Sequence, residues 1–363
     1  MSSVSPQRQN AMEQVKQGNK VLVTGITGQI GSYLTEYLVA QGREVHGIIR
    51  DPASLLKNEY REIYNGVQLH FADIEDRKSL LKIIRETRPD EVYHLAARSH
   101  VSQSWEQPIQ SFDVNVSGFM NVLEAIREAG LGSITRILVV SSPETILAFL
   151  TSTLDAAAIA VQSIDAVQAG SAEMFGQAPR LPINEETIIA PQTPYGVSKA
   201  ACFWLARCWR RQYSMFVTTA ILFNHESYRR AVARVVLRKQ NVVEVGSLDY
   251  LRDWGHVTDG VDCMVRALQH SEADDYIVAT GESHTPRQFI QLGFKSLSKT
   301  ISWEGTGVNE VGIITETGDI VVRVKNDGQY HLPASHTGDS SKAKEVLGWK
   351  ASKSFEDLNL AAS

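Results

Sequence analysis

Cysteine is scarce. The chain of 363 residues holds three, Cys202, Cys208 and Cys263, too few for a disulfide framework, and no Cys/His spacing matches a zinc site. Long apolar runs are absent too: none approaches the roughly 18 residues needed to cross a bilayer. The opening "MSSVSPQRQNAMEQVKQGNK" is too polar for a secretory leader. Neither sign of charge dominates, and a net charge of −5 gives no drive toward nucleic acid or an anionic membrane. Repeats at solenoid period are missing. What survives is a reduced, soluble, cytoplasmic protein with no metal, no membrane and no nucleic-acid partner. At roughly 150 residues per domain the length allows two to three lobes.

Residues 1–19 are expected to form a flexible polar arm, because regular patterning begins only at Lys20. "VLVTG" is a short apolar run ending in glycine, as a buried parallel strand would be. In "QIGSYLTEYLVAQG" the residues Ile30, Tyr33, Leu34, Tyr37 and Leu38 fall on one helical stripe that stops at Gly42. Further apolar runs, "EVHGIIR", "VQLHFAD", "EVYHLAA", "ITRILVV", "VTTAILF" and "DYIVAT", are mostly separated by helix-length amphipathic stretches. That alternation predicts an α/β fold, a Rossmann-type doubly wound parallel sheet with helices on both faces. After about Ser283 the rhythm loosens, which suits a smaller C-terminal substrate-binding lobe. The expected division assigns 20–224 and 248–281 to the dinucleotide domain and 225–247 and 282–363 to the lobe.

Gly25, Gly28 and Gly31 stand between the first strand and the first helix in "VTGITGQIGSYL". Glycine there permits a tight turn and a close approach of backbone to a pyrophosphate resting on the helix N-terminus. Gln29 and Ile30 lie inside the same turn. At the end of the second strand Arg50 can pair with a ribose 2′-phosphate, whereas Asp51 can hold the hydroxyls of an unphosphorylated ribose. Arg50 tips the expectation toward NADP. Asp73, at the end of "LHFAD", is placed either to meet the adenine edge or to cap the following helix.

"TPYGVSKAACFWLARCWRRQY" puts Tyr195 and Lys199 on one face of a helix. An ammonium beside a phenol favours phenolate and makes tyrosine a usable base. "AGSAEMFG" lies upstream, with Ser171 24 residues before Tyr195 to hydrogen-bond a substrate hydroxyl and Glu173 as a second base or acid.

With these pieces assembled, the chain resembles an extended short-chain dehydrogenase/reductase and is similar to the GDP-mannose 4,6-dehydratase family. The resemblance covers about 20–136 and 167–350. It is carried by "VTGITGQIGSYL", "LAARSHVSQSWEQP", "GSAEMFG", "PQTPYGVSKA" and "ILFNHES", and most specifically by "LRDWGHVTDGVDCM", "IVATGESHTPRQFI" and "WEGTGVNEVGI". It implies an internal redox dehydration of GDP-mannose. Tyr195 would take the proton of the sugar 4-hydroxyl as hydride passes to NADP⁺. Glu173 would then act at carbon 5 and help expel the 6-hydroxyl as water, and hydride would return to carbon 6. Lys199 would assist Tyr195 and bind the nicotinamide ribose. By the same correspondence Ile74, Leu95, Ala96, Ala97, Ser99, Tyr195, His225 and Arg230 would line the cofactor. Asn224 and Arg252 would contact the sugar nucleotide, Arg252 through its pyrophosphate. A homodimer or homotetramer is implied, built on helices 103–130 and 195–213, where Trp204 and Trp209 stand beyond one buried stripe.

Four departures mark this chain. About 30 residues intervene between Arg136 and "QAGSAE"; they carry a helical stripe over 143–166 and a rival pair, Ser142 and Glu144, in "SSPETI". Spacing to Tyr195 favours Ser171 and Glu173 over that pair. The loop after Ser227 is shorter than the family's by roughly a dozen residues. Leu332 and Ser335 stand where the family has an arginine and a glutamate, and Ile30 replaces an acidic residue. The departures keep two alternatives open: an impaired NADP-binding paralogue, and another sugar-nucleotide enzyme of the superfamily, such as a uronate decarboxylase or epimerase.

Overall fold

The computed structural model describes residues 19–52, 61–141, 171–226, 242–324 and 335–359. The expected polar arm, the 143–166 helix with Ser142 and Glu144, the loop after Ser227, Arg230 and Leu332 lie outside the described residues.

The seven apolar runs read from the sequence are the seven strands of one sheet: β1 (Lys20–Thr24), β2 (Glu44–Ile49), β3 (Gln68–Phe71), β4 (Glu91–His94), β5 (Arg136–Ser141), β6 (Phe216–Leu222) and β10 (Asp275–Val278). Their order is β3-β2-β1-β4-β5-β6-β10, and every pairing is parallel. Parallel strands bury both faces, so their residues are apolar on both sides of the pleat. Val21, Val23, Tyr93, Leu138 and Leu222 pack on one side with α1 (Gln29–Ala40). Leu22, Val92, Ile137 and Val217 pack on the other with α2 (Arg77–Thr87). Two short helices, α3 (Val101–Glu106) and α4 (Pro108–Phe112), lead through one turn of π-helix at Asp113–Ser117 into α5 (Gly118–Glu128). The longest helix among the described residues, α6 (Pro194–Tyr213), begins at the Thr193 N-cap, whose hydroxyl accepts from the Gly196 N–H. Next comes α7 (Val257–Gln269), which covers the α1 side with Val261, Met264 and Leu268.

The remaining strands form two four-stranded sheets. In one, β9 (Leu251–His256) pairs with β11 (Ser283–His284), β15 (Ser335–His336) and β7 (Asn224–Glu226). In the other the order is β12 (Ile301–Glu304), β13 (Val311–Ile314), β14 (Ile320–Val324) and β8 (Val243–Val245). Helix α8 (Pro286–Ser296) starts with a Thr285/Gln288 capping box. It packs Phe289, Ile290 and Phe294 onto Trp254 and Phe355, giving this part its own aromatic core. A last helix, α9 (Ser341–Leu347), precedes Trp349, whose indole N–H donates to the Asp259 carbonyl. No helix among the described residues is long and apolar enough to cross a membrane.

Asp253 of β9 joins the sheets. Its fully buried carboxylate accepts from the Thr280 N–H and hydroxyl and from the Gly281 and Gly338 N–H groups. Burial pushes its pKa up, and these hydrogen bonds pull it back.

Candidate functional site

The strand order reverses between β1 and β4, and the loops leaving those strands meet there. In open α/β sheets that crevice is where ligands bind. Gly25 has φ +70°, and a Cβ on it would lie 2.7 Å from the Ala96 backbone nitrogen, so only glycine fits against the β4 loop. A Cβ on Gly31 would lie 2.7 Å from the Ile26 carbonyl oxygen, so only glycine lets α1 approach the loop this closely. Gly28 is the N-cap of α1 and brings no side-chain acceptor to its first turn. The cradle of glycines under an uncapped helix start fits the pyrophosphate of a dinucleotide. Gln29 and Ile30 begin that helix, and Leu95, Ala96, Ala97 and Ser99 form the facing loop. Arg50 and Asp51 lie exposed beyond β2.

Asp73 and Ile74 follow β3, Ile74 buried against Gly118. The Asp73 carboxylate accepts from the Glu75 N–H. The capping alternative considered for Asp73 is taken instead by Asp76, which accepts from the Lys78 and Ser79 N–H groups at the start of α2.

On the far side of β4 the first turns of α6 carry Tyr195 and Lys199, both buried. The Tyr195 N–H donates to the Ser104 hydroxyl. The Lys199 ammonium stands 5.5 Å from the Tyr195 ring centroid and 3.5 Å from the Val140 carbonyl at the end of β5. A 3₁₀ turn, Ser171–Phe175, lies against this helix. A Cβ on Gly196 would sit 2.6 Å from the Glu173 carbonyl oxygen, so glycine next to Tyr195 is what lets the two segments touch.

The Glu173 carboxyl is 1% exposed, and its Oε1 has no hydrogen-bond partner. Burial pushes its pKa up to about 7, against the downward pull of the Arg252 guanidinium. Arg252, also buried, stands in register with His336 across the β9–β15 pair. His336 donates from Nε2 to the Gly176 carbonyl at 3.0 Å, just after the Glu173 turn. Burial and the Arg252 charge lower the pKa of His336 to about 3, so its ring stays neutral. Asn224 and His225 are buried in β7. The His225 Nδ1 is 2.9 Å from the Phe223 carbonyl, Gly255 and Gly260 leave room for its ring, and burial lowers its pKa to about 4.

A sequence description of the family named GDP-mannose 4,6 dehydratase matches residues 22–146 and 148–360. The chain belongs to the GDP-mannose 4,6-dehydratase family. It is 36% identical to the GDP-mannose 4,6 dehydratase of Homo sapiens over 95% of this chain and 91% of that protein. Against that of Vibrio cholerae the identity is 35%, over 93% and 91%. Among solved structures it is similar to UDP-glucose 4-epimerase from Thermotoga maritima, with TM-score 0.72 and 21% identity over 94% of this chain and 96% of that one. It is also similar to the dTDP-glucose 4,6-dehydratase DesIV from Streptomyces venezuelae, with TM-score 0.70 and 21% identity over 93% and 94%. These neighbours share the mostly parallel, doubly wound fold. The DesIV structure holds NAD, and that of RMD from Pseudomonas aeruginosa (TM-score 0.65, 24% identity over 94% and 97%) holds NADPH.

Two buried polar residues of this region carry little signal in the sequence. Asn115, in the π-helical turn, accepts from the Arg98 N–H and donates to the Arg98 carbonyl and the Ser198 hydroxyl, tying the β4 loop to the Tyr195 helix. Its only sequence signal is a polar residue within the apolar stretch "FDVNVSGF". His336 is the other; "LPASHTGD" hides it, because a two-residue strand shows no periodicity.

Proposed function

We propose that the chain is an NADP-linked GDP-mannose 4,6-dehydratase. The observation that carries this reading is the meeting of Glu173 with the Tyr195–Lys199 helix through Gly196, beneath Arg252, in a chain of the dehydratase family. The glycine turn with Gly25, Gly28, Gln29, Ile30 and Gly31 holds the pyrophosphate, Arg50 the 2′-phosphate, and Asp73 with Ile74 the adenine side. Leu95, Ala96, Ala97, Ser99 and His225 line the nicotinamide half, and Arg230 completes the set. When bound, the dinucleotide supplies a reversible two-electron redox couple.

The protein's own groups handle protons. Tyr195 accepts the proton of the hexose 4-hydroxyl, with the Lys199 ammonium stabilising the phenolate charge. Ser171 hydrogen-bonds the same hydroxyl. Once carbon 4 is a ketone, the hydrogen on carbon 5 is acidic, and Glu173 removes it. The same carboxyl delivers a proton to the departing 6-hydroxyl, which leaves as water. A pKa near 7 suits a group that must both take and give a proton. Arg252 and Asn224 bind the sugar nucleotide, the guanidinium at its pyrophosphate.

We also infer a homodimer or homotetramer, because Trp105, Ile109, Phe112, Val197, Trp204 and Tyr213 are exposed on α3, α4 and α6. Trp209, by contrast, packs partly against the core. Light scattering should give at least twice the 40.2 kDa of one chain; a monomer at micromolar concentration would refute the oligomer.

The activity test is incubation with GDP-mannose and NADP⁺ followed by mass spectrometry. The expected product has lost one water, and Tyr195→Phe abolishes it. Failure to turn over GDP-mannose while NADP⁺ binds would refute the dehydratase.

A further inference from the structure

The Tyr64 hydroxyl ends at the glycine turn. Tyr64 closes a 3₁₀ turn at Arg61–Tyr64, is buried with the α1-side core, and donates to the Ile26 carbonyl at 3.0 Å. The Ser32 hydroxyl lies 3.1 Å from the Tyr64 oxygen and 2.9 Å from the Gly28 carbonyl. The Ser32 N–H also donates to Gly28 at 2.9 Å. Two carbonyls of the turn, Ile26 and Gly28, are therefore held by groups on one side of it.

A trans peptide is planar, with its N–H opposite its C=O. Fixing the Ile26 carbonyl toward Tyr64 sends the Thr27 N–H away from it, and fixing the Gly28 carbonyl along the helix does the same for the Gln29 N–H. These amides belong to the turn in which Gly25 and Gly31 leave no space for a Cβ. The turn's anion-binding geometry depends on peptide orientation, because it has no charged side chain of its own between Gly25 and Gly31.

We infer that Tyr64 is a positioning residue for the dinucleotide's pyrophosphate: without touching the ligand, its hydroxyl orients the peptides of the glycine turn that receive it. This rests on the proposed dinucleotide reading. A tyrosine that merely filled the core would act through its ring, which phenylalanine keeps.

The test is ligand affinity by calorimetry for the wild type, Tyr64→Phe, Ser32→Ala and the double variant. Two ligands are compared: the dinucleotide the wild type prefers, and its adenosine fragment lacking the pyrophosphate (2′-AMP for NADP⁺, adenosine for NAD⁺). Loss of one neutral hydrogen bond should weaken the dinucleotide about three- to tenfold in Tyr64→Phe and leave the fragment unchanged. In a Ser32→Ala background the same change should have a smaller effect, because the two hydroxyls act on one turn. Unchanged dinucleotide affinity, or an equal loss for both ligands, would overturn the inference. A wild type that binds neither dinucleotide would overturn the dinucleotide reading and the inference with it.

Discussion

The glycine turn and the Glu173–Arg252–His336 cluster occupy the same molecule on opposite physical terms. Around the turn, the geometry is built from backbone: glycines that leave space, an uncapped helix start, and carbonyls held by Tyr64 and Ser32. Around Glu173 it is built from ionisable side chains taken out of water. Glu173 and His336 are shifted toward their neutral forms, and each keeps a buried atom, Oε1 and Nδ1, without a partner. A backbone cradle tolerates little change in shape but is insensitive to pH. A desolvated carboxyl is the reverse: it is destabilising when charged and poised to exchange protons.

The comparison breaks first at Tyr195. Tyr195→Phe removes the proton acceptor while preserving shape, so kcat should fall about 10²–10⁴-fold with dinucleotide affinity unchanged; rapid-quench kinetics and titration check the two halves. Glu173→Gln comes next, with kcat reduced on the order of 100-fold.

The same variant gives a stability signature whose sign follows from the raised pKa. The unfolded Glu173 carboxyl ionises near 4.5 and the folded one near 7. The wild type thus loses stability as pH climbs from 4.5 to 7, by about 3 kcal/mol in total from this group. Glu173→Gln escapes that loss, so its advantage in thermal unfolding should grow over that interval and level off above it. A constant difference across pH would refute the assignment.

On the backbone side, Gly25→Ala forces a side chain into a left-handed position and against Ala96. It should cost about 1–3 kcal/mol from the backbone alone, with dinucleotide binding lost; denaturant titration measures the first and calorimetry the second. The smallest effect belongs to Arg50. Arg50→Ala should weaken NADP⁺ about tenfold and leave NAD⁺ unchanged, whereas equal effects on both would remove Arg50 from 2′-phosphate recognition.

How each region reads from sequence follows from the same contrast. The glycine turn, the strand before it and the helix after it lie within one window, Lys20–Ala40, so every constraint is local. The inner strands of the central sheet were legible because strands buried on both faces are apolar throughout; the edge strand β3, exposed at Gln68 and Phe71, was found from its place in the alternation. Tyr195 and Lys199 share one helix and one face. By contrast, Arg252 and His336 meet by strand pairing across much of the chain and His336 reaches the Glu173 turn through the Gly176 carbonyl, while β15, the strand carrying His336, is two residues long. Glu173 was legible from its place two residues after Ser171 in "AGSAEMFG", Arg252 only through the resemblance to a family, and nothing pointed to His336. Asp73 shows a local failure: both it and Asp76 are aspartates before α2, and the sequence does not say which one turns its carboxylate back onto the helix amides.

In the proposed reaction the Tyr195 and Glu173 regions act on one bound sugar in a closed redox and dehydration cycle. GDP-mannose carrying deuterium on carbon 4, incubated with the protein and a trace of NADP⁺, tests it most directly. The expected product has lost one water and bears the deuterium on carbon 6. Loss of the label to solvent, or an oxidised product that retains its 6-hydroxyl, would contradict it.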